Sequence, residues 1–361
     1  YEIAKQQGDK DAAVFWRGKA DEVKRKMKDY LWIDDRHSYF YRNPDNEFIN
    51  SLTHNNLRAM YYGAMTQDMA NRFIKHHLLN PKEFWTYMPI PSVAVNDPYF
   101  ENRSYNNWGG QSQNLTYQRA IRALENYGHH AEVCLFGHKL MGRISESKLF
   151  TQQFDPFTGE QSGIDGYDYG PSILAVLEYF SRMYGIDVCK DTVHFNGLPL
   201  EEEYEYIQVI GDNTYTLRQK NGILTGIVNG ELKFTCSAGV KVKTGLDGSI
   251  FELVGIDSVS RSVYLTCDSK SYNFTVSPNT VFGFQDEATV IREVPFDYPF
   301  KIALDSTTPG LTDPRDGNTY RIVKIGEQVW MAENLRFLPS VAGPGTGSKT
   351  TPYFYVYGYD G

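Results

Sequence analysis

The segment 85–110 of this 361-residue chain and the residues after it suit a ligand with flat apolar faces and many hydroxyl groups. Trp85 and Trp108 offer indole rings for stacking, and Gln111 and Gln113 carry amides that donate and accept hydrogen bonds. Trp108 precedes two glycines that let backbone approach a ligand closely, so we expect it in a cleft. Packing under the loop also explains Trp85, and a polar helix start also explains the two glutamines.

Aspartates in two loops are candidates for proton transfer. Asp97 and Asp155 each precede a proline, an arrangement that often starts a turn. Asp165 and Asp168 lie in the sequence GIDGYDYGP, just before a predicted helix. Asp97 and Asp168 are therefore candidates for a cleft. The alternatives are that Asp97 shapes a turn and that Asp168 orients the chain that enters the helix.

The histidines and cysteines do not predict a bound metal or cofactor. The adjacent histidine pairs at 76–77 and 129–130 would point different ways on a helix, so one metal seldom takes both. No two of the 4 cysteines have the CxxC spacing of a zinc site. Cys236 and Cys267 lie in strand-like runs and could pair in an exported protein, which the sequence leaves open.

The composition favours some partners over others. Aromatic residues make up 14% of the chain, which suits sugar stacking and is equally typical of secreted proteins with rigid, wet surfaces. The net charge of −8 and the lack of a long Lys and Arg run argue against nucleic acid. No run of about 18 apolar residues predicts a membrane span. We therefore expect a glycan partner, and no feature predicts an oligomeric state.

Three regions of the chain differ in their residue pattern and predict a multidomain protein, α then β. Residues 1–185 show helical periodicity in five segments: 13–32, 66–79, 113–128, 129–143 and 170–185. Residues 186–300 contain eleven short alternating runs separated by turn signals, which predicts an antiparallel β-sandwich. Residues 301–361 combine loops with one strand-rich stretch, and we expect a small separate domain there.

The helical region resembles the (α/α)6-barrel glycosidases, above all glycoside hydrolase family 63 with its trehalase-like and mannosylglycerate hydrolase-like relatives. The order and spacing of several motifs carry this resemblance: Asn80 to Phe84, Pro91 to Phe100, Trp108 to Gly110, Tyr127-Gly128, Gln152 to Gly159 and Ser172 to Phe180. The resemblance implies that residues 1–185 are the second half of a partial (α/α)6 toroid. The β-sandwich and a small partial C-terminal domain would follow it.

The same resemblance implies inverting hydrolysis without a cofactor, by one carboxylic acid and one carboxylate base. The family's base position falls on Gln152, a neutral amide that cannot take a proton from water. Gly109 and Gln113 also replace an Arg and a Trp of the family pattern, and the acid-bearing half is expected before Tyr1. Three explanations stay open: the base is Asp155, Asp165 or Asp168; the base is another carboxylate such as Asp97; or the protein binds sugar without cleaving it.

The stretch DPRDGNTYRIVKIGEQVWMAENLRF resembles the Fibrobacter succinogenes major paralogous domain, of which only the first half is present. The matching residues are Asp313, Arg315, Asp316, Gly317, Tyr320, Ile325, Gly326, Gln328, Trp330, Met331, Glu333, Asn334 and Leu335. Domains of this type occur on exported and surface proteins, and the resemblance implies no enzymatic role. We therefore expect a periplasmic, cell-surface or extracellular location.

The function expected from these features is hydrolysis of an α-linked oligosaccharide or glycan with inversion. The binding and catalytic candidates are Trp85, Trp108, Gln111, Gln113, Asp97, Gln152 and Asp168. The alternative is a non-catalytic carbohydrate-binding or surface-adhesion protein, which Gln152 and the C-terminal resemblance both fit. A phosphorylase on the same barrel ranks last, because the loops contain no obvious basic cluster for phosphate.

Overall fold

The structure is a computed structural model that describes residues 1–105, 108–162, 169–284, 287–298, 311–313, 317–325, 328–338, 340–347 and 353–357. The chain divides into two compact units, Tyr1–Asp297 and Tyr298–Gly361. The first unit holds the helices together with two large sheets. The domain boundaries expected near 185 and 300 stay predictions.

The helices of the first unit lie at and beside the positions that periodicity predicts. They are α1 (Glu2–Gln6), α2 (Lys10–Leu31), α3 (Asn56–Tyr61), α4 (Gln67–Phe73), α5 (Asn114–Glu125), α6 (His130–Ser147) and α7 (Gly170–Tyr184). A 3-10 turn covers Asp34–Arg36, and α4 continues as a π-helical turn, Ile74–Leu78. The short helices α1 and α3 were not predicted, because one or two turns leave too little periodicity to detect. None of the described helices is both long and apolar enough to span a membrane.

The packing of α7 against α6 depends on a glycine. A Cβ atom at Gly137 would lie 2.4 Å from the sulfur of Met183 and 2.9 Å from the Tyr179 ring, so only glycine allows this approach. The buried side of α7 therefore consists of Tyr179, Met183, Tyr184 and the small residues Ser172, Ala175 and Ser181. Its more apolar side, including Leu177 at 60% exposure, faces outward.

Short strands join the loops that flank α5. The hairpin β1 (Trp32–Ile33) and β2 (Ser38–Tyr39) follows α2. A three-stranded antiparallel sheet combines β3 (Ser112–Gln113), β4 (Gln153–Phe154) and β5 (Gln161–Ser162), with Gln113 opposite Gln153 and Gln153 opposite Ser162. This small sheet brings the candidate loops together.

Two six-stranded antiparallel sheets follow α7. The strands are β6 (Ile186–Cys189), β7 (Thr192–Gly197), β8 (Tyr204–Ile210), β9 (Asn213–Lys220), β10 (Ile223–Val228), β11 (Glu231–Ser237), β12 (Val240–Gly245), β13 (Ile250–Gly255), β14 (Arg261–Cys267), β15 (Lys270–Val276), β16 (Val281–Phe284) and β17 (Ala288–Arg292). Their orders are β15-β14-β11-β10-β9-β8 and β17-β16-β13-β12-β7-β6. The sheets share one hydrophobic core, in which the Phe195 ring of one sheet meets the Phe234 ring of the other at a centroid distance of 5.3 Å. Cys236 and Cys267 are free thiols in this structure.

A buried polar junction fastens the helices to the sheets. Asn279, in the turn before β16, donates to the Glu132 carboxylate at 2.8 Å and accepts from the Ala131 amide at 2.8 Å. Glu132 also bonds to His129 at 2.8 Å, and His129 in turn bonds to Asn71 of α4 at 2.9 Å. Since Glu132 is fully buried, its bonds to Asn279 and His129 offset the cost of removing its carboxylate from water.

The second unit contains four short strands in the part that the structure describes. They are β18 (Leu311–Thr312), β19 (Thr319–Tyr320), β20 (Ile322–Ile325) and β21 (Gln328–Met331), paired as two hairpins. Tyr320 is buried, and its hydroxyl accepts from the Arg336 amide at 2.9 Å. Glu333 accepts from Arg321 and Arg336 side chains at 2.7 Å each, and these bonds lower its pKa to about 2. Two residues of the C-terminal motif, Tyr320 and Glu333, thus stabilise this unit, while Arg315, Asp316 and Gly326 lie outside the described residues.

The junction predicts a stability effect at Asn279. Asn279→Gly keeps a residue that tolerates the observed φ of 60° but removes both side-chain hydrogen bonds. We expect a loss of about 2 kcal/mol or more in urea unfolding, because the buried carboxylate loses a donor. Asn221→Gly is the matched control, with a φ of 51° at an exposed turn. Equal effects of the two substitutions would contradict the role of the junction.

Candidate active site

A chain of side-chain hydrogen bonds runs from the small sheet to the loop before Trp108, and we call it the amide network: Gln113, Gln153, Ser162, Gln111, Asn102 and Asp155. The Gln113 side chain donates to the side-chain oxygen of Gln153 at 2.9 Å. The Gln153 side chain donates to the Ser162 hydroxyl at 3.0 Å and to the side-chain oxygen of Gln111. Ser162 donates to the same Gln111 oxygen at 2.6 Å. Gln111, Gln113 and Gln153 are almost wholly buried, so these amides bind protein groups and hold the loops in place.

The Asn102 and Asp155 end of the amide network holds the loop before Trp108 in place. The Gln111 amide nitrogen donates to Asn102 at 2.9 Å, and Asn102 donates to the Asp155 carboxylate at 2.7 Å. Gly110 closes this loop on itself, since a Cβ there would lie 2.4 Å from the Glu101 carbonyl oxygen. Gly110, which we expected to let backbone approach a ligand, is therefore needed for the close approach of the loop's own backbone at Glu101.

Trp108 stands at an exposed edge beside a buried histidine. It is 41% exposed, and its ring meets His54 edge-on at a centroid distance of 5.6 Å. His54 lies within 3.2 Å of the Thr116 hydroxyl of α5. Burial, followed by the charges of Arg119 and Arg58, lowers the pKa of His54 to about 3, so the ring is neutral at ordinary pH. The site therefore offers an exposed indole face held by a rigid, uncharged support.

Gln152 lies directly beside the start of α5. Its carbonyl oxygen accepts from the Asn114 amide at 2.9 Å, and the Asn114 side chain donates to the Thr151 carbonyl at 2.5 Å. The Gln152 residue is half-buried. The position that the family pattern gives to the base is thus fixed firmly between the amide network and α5.

Asp97 and Asp155 use their carboxylates to shape turns. One oxygen of Asp97 accepts from the Leu52 amide at 2.6 Å and the other from the Tyr99 amide at 2.9 Å. Asp155 accepts from the amides of Phe157 and Thr158 at 2.8 and 2.9 Å. Burial would raise the pKa of Asp155, but the hydrogen bonds from Thr158 and Asn102 outweigh it and hold the pKa below its usual value. Both carboxylates thus have the turn-shaping role that a following proline often indicates.

The remaining candidates divide between the core and a segment that the structure does not describe. Trp85 is 6% exposed and packs edge-on against Phe136 at 5.1 Å, as the packing interpretation expects. Asp165 and Asp168 lie outside the described residues. The ends of their loop are described, however: Ser162 belongs to the amide network, and the Tyr169 amide donates to the Phe150 carbonyl at 2.9 Å. Both ends therefore lie close to Gln152.

The sequence did not single out Gln153 or His54. Gln153 has the same neighbours as Gln152 along the chain, and its burial arises only when three two-residue strands pair across about 50 residues, from Ser112 to Ser162. His54 is buried because α3 packs on α5, and α3 was itself too short to predict. Within the described part of the chain, no group of His, Cys, Asp and Glu side chains is arranged to hold a metal ion.

Comparison with known proteins connects this helical region to glycosidases. The family model described as a mannosylglycerate hydrolase MGH1-like glycoside hydrolase domain matches residues 1–172. This match confirms the resemblance of the helical region to family 63-like, six-hairpin glycosidases. The matched segment includes Trp108, the amide network and Gln152.

Solved structures are similar to parts of the chain. A sialidase shares the fold at 15% identity with a TM-score of 0.54, over 67% of this chain and 25% of its own. A family 63 mannosylglycerate hydrolase from Thermus thermophilus, in complex with glucose, aligns at 20% identity over 42% of this chain and 37% of its own, with a TM-score of 0.36. Neutral trehalase from Saccharomyces cerevisiae aligns at 14% identity over 46% and 30%, with a TM-score of 0.39. The chain thus spans between about a quarter and two fifths of the length of these structures.

The neutral state of His54 predicts a pH effect on stability. Below the ordinary histidine pKa near 6.5 the unfolded chain takes up a proton that the folded protein excludes until about pH 3. The free energy of unfolding therefore falls as pH decreases through this window, by up to about 1.4 kcal/mol per pH unit for this one group. His54→Gln removes the contribution of His54 to this pH dependence. The free energy of unfolding in urea should therefore decline less from pH 8 to pH 4 in the variant than in the wild type. If the free energies of unfolding of wild type and variant differ by the same amount at every pH as at pH 8, the result contradicts this role of His54.

Proposed function

We propose that residues 1–172 form the substrate-binding part of a glycoside hydrolase that acts on an α-linked oligosaccharide or glycan with inversion. The observation that carries the proposal is the exposed ring of Trp108, fixed beside the amide network within the segment that matches the glycosidase family. An indole face stacks on the apolar face of a sugar ring, and a fixed ring loses little entropy when the sugar binds.

Inversion needs a carboxylic acid and a carboxylate on opposite sides of the scissile bond, about 6.5–9.5 Å apart. Asp97 and Asp155 are bound to turn amides, and Gln152 cannot accept a proton. Asp165 and Asp168 remain, in the segment between Ser162 and Tyr169, and we propose Asp168, the one next to Tyr169 in the sequence, as the base. The acid would come from a part of the protein beyond this chain. Gln152 would then orient the attacking water or a sugar hydroxyl.

A second candidate function is carbohydrate binding without cleavage, on a surface-exposed protein. The amide of Gln152 at the family's base position favours it. We also infer export to the periplasm, cell surface or medium, which the C-terminal resemblance supports and which cell fractionation with an antibody would test. Neither candidate involves nucleic acid.

Reducing-sugar release by the full-length protein, measured on α-glucosides and α-mannosides, separates the two candidates. We expect release from one substrate and a loss of at least about 100-fold with Asp168→Asn, the size typical of a general base. Asp191→Asn, at the exposed turn between β6 and β7, is the control and should retain activity. NMR of the first product should show the β-anomer.

Three results would count against the hydrolase proposal in different ways. No release on any substrate, together with saturable sugar binding in calorimetry, would establish the binding function instead. Full activity of Asp168→Asn would remove the assigned base but leave the hydrolase. An α-anomeric first product would exclude inversion.

A further inference from the structure

One face of the sheet β15-β14-β11-β10-β9-β8 points away from the shared core and is rich in hydroxyl groups. Val263 and Leu265 of β14 and Cys236 of β11 are buried in that core, so the residues that alternate with them point outward. A group of uncharged outward side chains on β10, β11, β14 and β15 forms a surface that we call the hydroxyl face: Thr225, Thr235, Ser237, Ser262, Tyr264, Thr266, Ser271, Asn273 and Thr275. Because a hydroxyl both donates and accepts, this surface can exchange hydrogen bonds with a polyhydroxyl ligand.

The strand register aligns hydroxyl groups in a row across the sheet. Ser271 pairs with Thr266, Thr266 with Thr235, and Thr235 with Thr225. The hydroxyl groups of Thr266 and Ser271 lie 3.5 Å apart. Neighbouring strands lie about 4.8 Å apart, so the row extends over about 14 Å. A row of this length can contact successive rings of a polysaccharide, whereas a single sugar covers only part of it.

An exposed tyrosine lies beside this row. Tyr264 is 51% exposed and precedes Thr266 by two positions, so both side chains lie on the same side of β14. The Tyr264 hydroxyl donates to Ser271 of β15 at 3.1 Å, and the Tyr264 amide donates to the Ser237 hydroxyl of β11 at 3.0 Å. Contacts to both neighbouring strands thus hold the tyrosine in place, and its ring offers a flat surface for stacking on a sugar.

A polar cavity of about 360 Å³ continues this surface, and its volume lies within the usual range of small-ligand sites, about 300–1,000 Å³. Three serines contribute to its lining: Ser237, Ser260 and Ser262. Arg261 also lines the cavity, but its guanidinium already pairs with Asp257. Since Ser237 also bonds to Tyr264, the cavity and the tyrosine belong to one continuous surface.

Charge and packing both favour a neutral ligand at this surface. The charged outward side chains that border the hydroxyl face form ion pairs: Arg218 with Glu205, Lys220 with Glu203 and Lys233 with Glu231. The helices pack against the other sheet, where Lys241 of β12 bonds to Glu125 of α5 at 3.1 Å. The hydroxyl face is therefore both accessible and neutral, which suits a polyhydroxyl ligand without charge.

We propose that the hydroxyl face and the adjoining cavity form a second carbohydrate-binding site, which takes a neutral polysaccharide and does not cleave it. The hydroxyl row and the Tyr264 ring contact successive sugar rings, and the cavity holds one further ring. Binding at this site raises the effective concentration of the polymer near the helical region. The inference goes beyond the proposed function, because it assigns a site on the strands and holds whether or not the helical region cleaves sugar.

Affinity electrophoresis of the full-length protein tests this site, in gels that contain soluble starch, dextran, an α-mannan or a xylan. The test uses the Trp108→Ala background, so that the retardation measured there does not depend on the ring of the proposed active site. We expect at least one neutral polymer to retard this protein. Adding Tyr264→Ala should weaken binding at least about 5-fold, the size typical of a lost aromatic contact.

Threonine variants test the hydroxyl row separately from the tyrosine. Thr266→Val keeps the size of the side chain but removes its hydroxyl, so it should also weaken binding of the polymer. Thr214→Val is the matched control, because Thr214 lies on β9, outside the hydroxyl face, and its substitution should leave retardation unchanged. Thermal unfolding checks that each variant is folded.

Three results would overturn the inference. The first is that no neutral polymer retards the protein, in which case the reducing-sugar assay still tests the hydrolase proposal separately. The second is that retardation survives both Tyr264→Ala and Thr266→Val unchanged, which places polymer binding elsewhere. The third is stronger retardation by anionic polygalacturonate than by every neutral polymer, which contradicts the assignment of a neutral ligand.

Discussion

The candidate site depends on one buried polar interaction, the amide network that joins Gln113, Gln153 and Gln111 to Asn102. Its members come from segments that lie up to about 60 residues apart, between Asn102 and Ser162. Each buried amide that lost its partner would cost about 1–3 kcal/mol, so the loops cannot separate without a large penalty. The network therefore sets the positions of the Trp108 loop, of Gln152 and of Ser162, where the segment that contains Asp168 begins.

A second group of polar contacts holds the helices against the two large sheets. Glu132 and His129 connect the start of α6 to Asn279 of the sheet region and to Asn71 of α4. Lys241 of β12, almost fully buried, bonds to Glu125 at the end of α5 at 3.1 Å. Since α5 also begins at the amide network, this one helix is fixed at both ends, and His54 and Trp108 are fixed with it.

The sequence predicted where most helices and strands lie, because periodicity and turn residues are local signals. The five predicted helices and the eleven predicted strand runs all appear. It did not predict which side of α7 is buried, since Gly137 decides that through contacts with Tyr179 and Met183 that are distant along the chain. It predicted a cleft position for Trp108, whose ring is 41% exposed in the structure, and it assigned Gln111 and Gln113 a direct role toward the ligand, whereas the structure buries both in the network. Burial of a polar residue depends on partners that no local pattern reveals.

We propose that the amide network presents the Trp108 ring as a sugar-binding surface. Calorimetric affinity for the best α-linked oligosaccharide of the panel, compared among the wild type, Trp108→Ala and Gln153→Ala, tests it most directly. We expect Trp108→Ala to weaken binding at least about 10-fold with an unchanged unfolding temperature, and Gln153→Ala to lower both affinity and unfolding temperature. Wild-type affinity in Trp108→Ala would contradict the sugar-binding role of the ring.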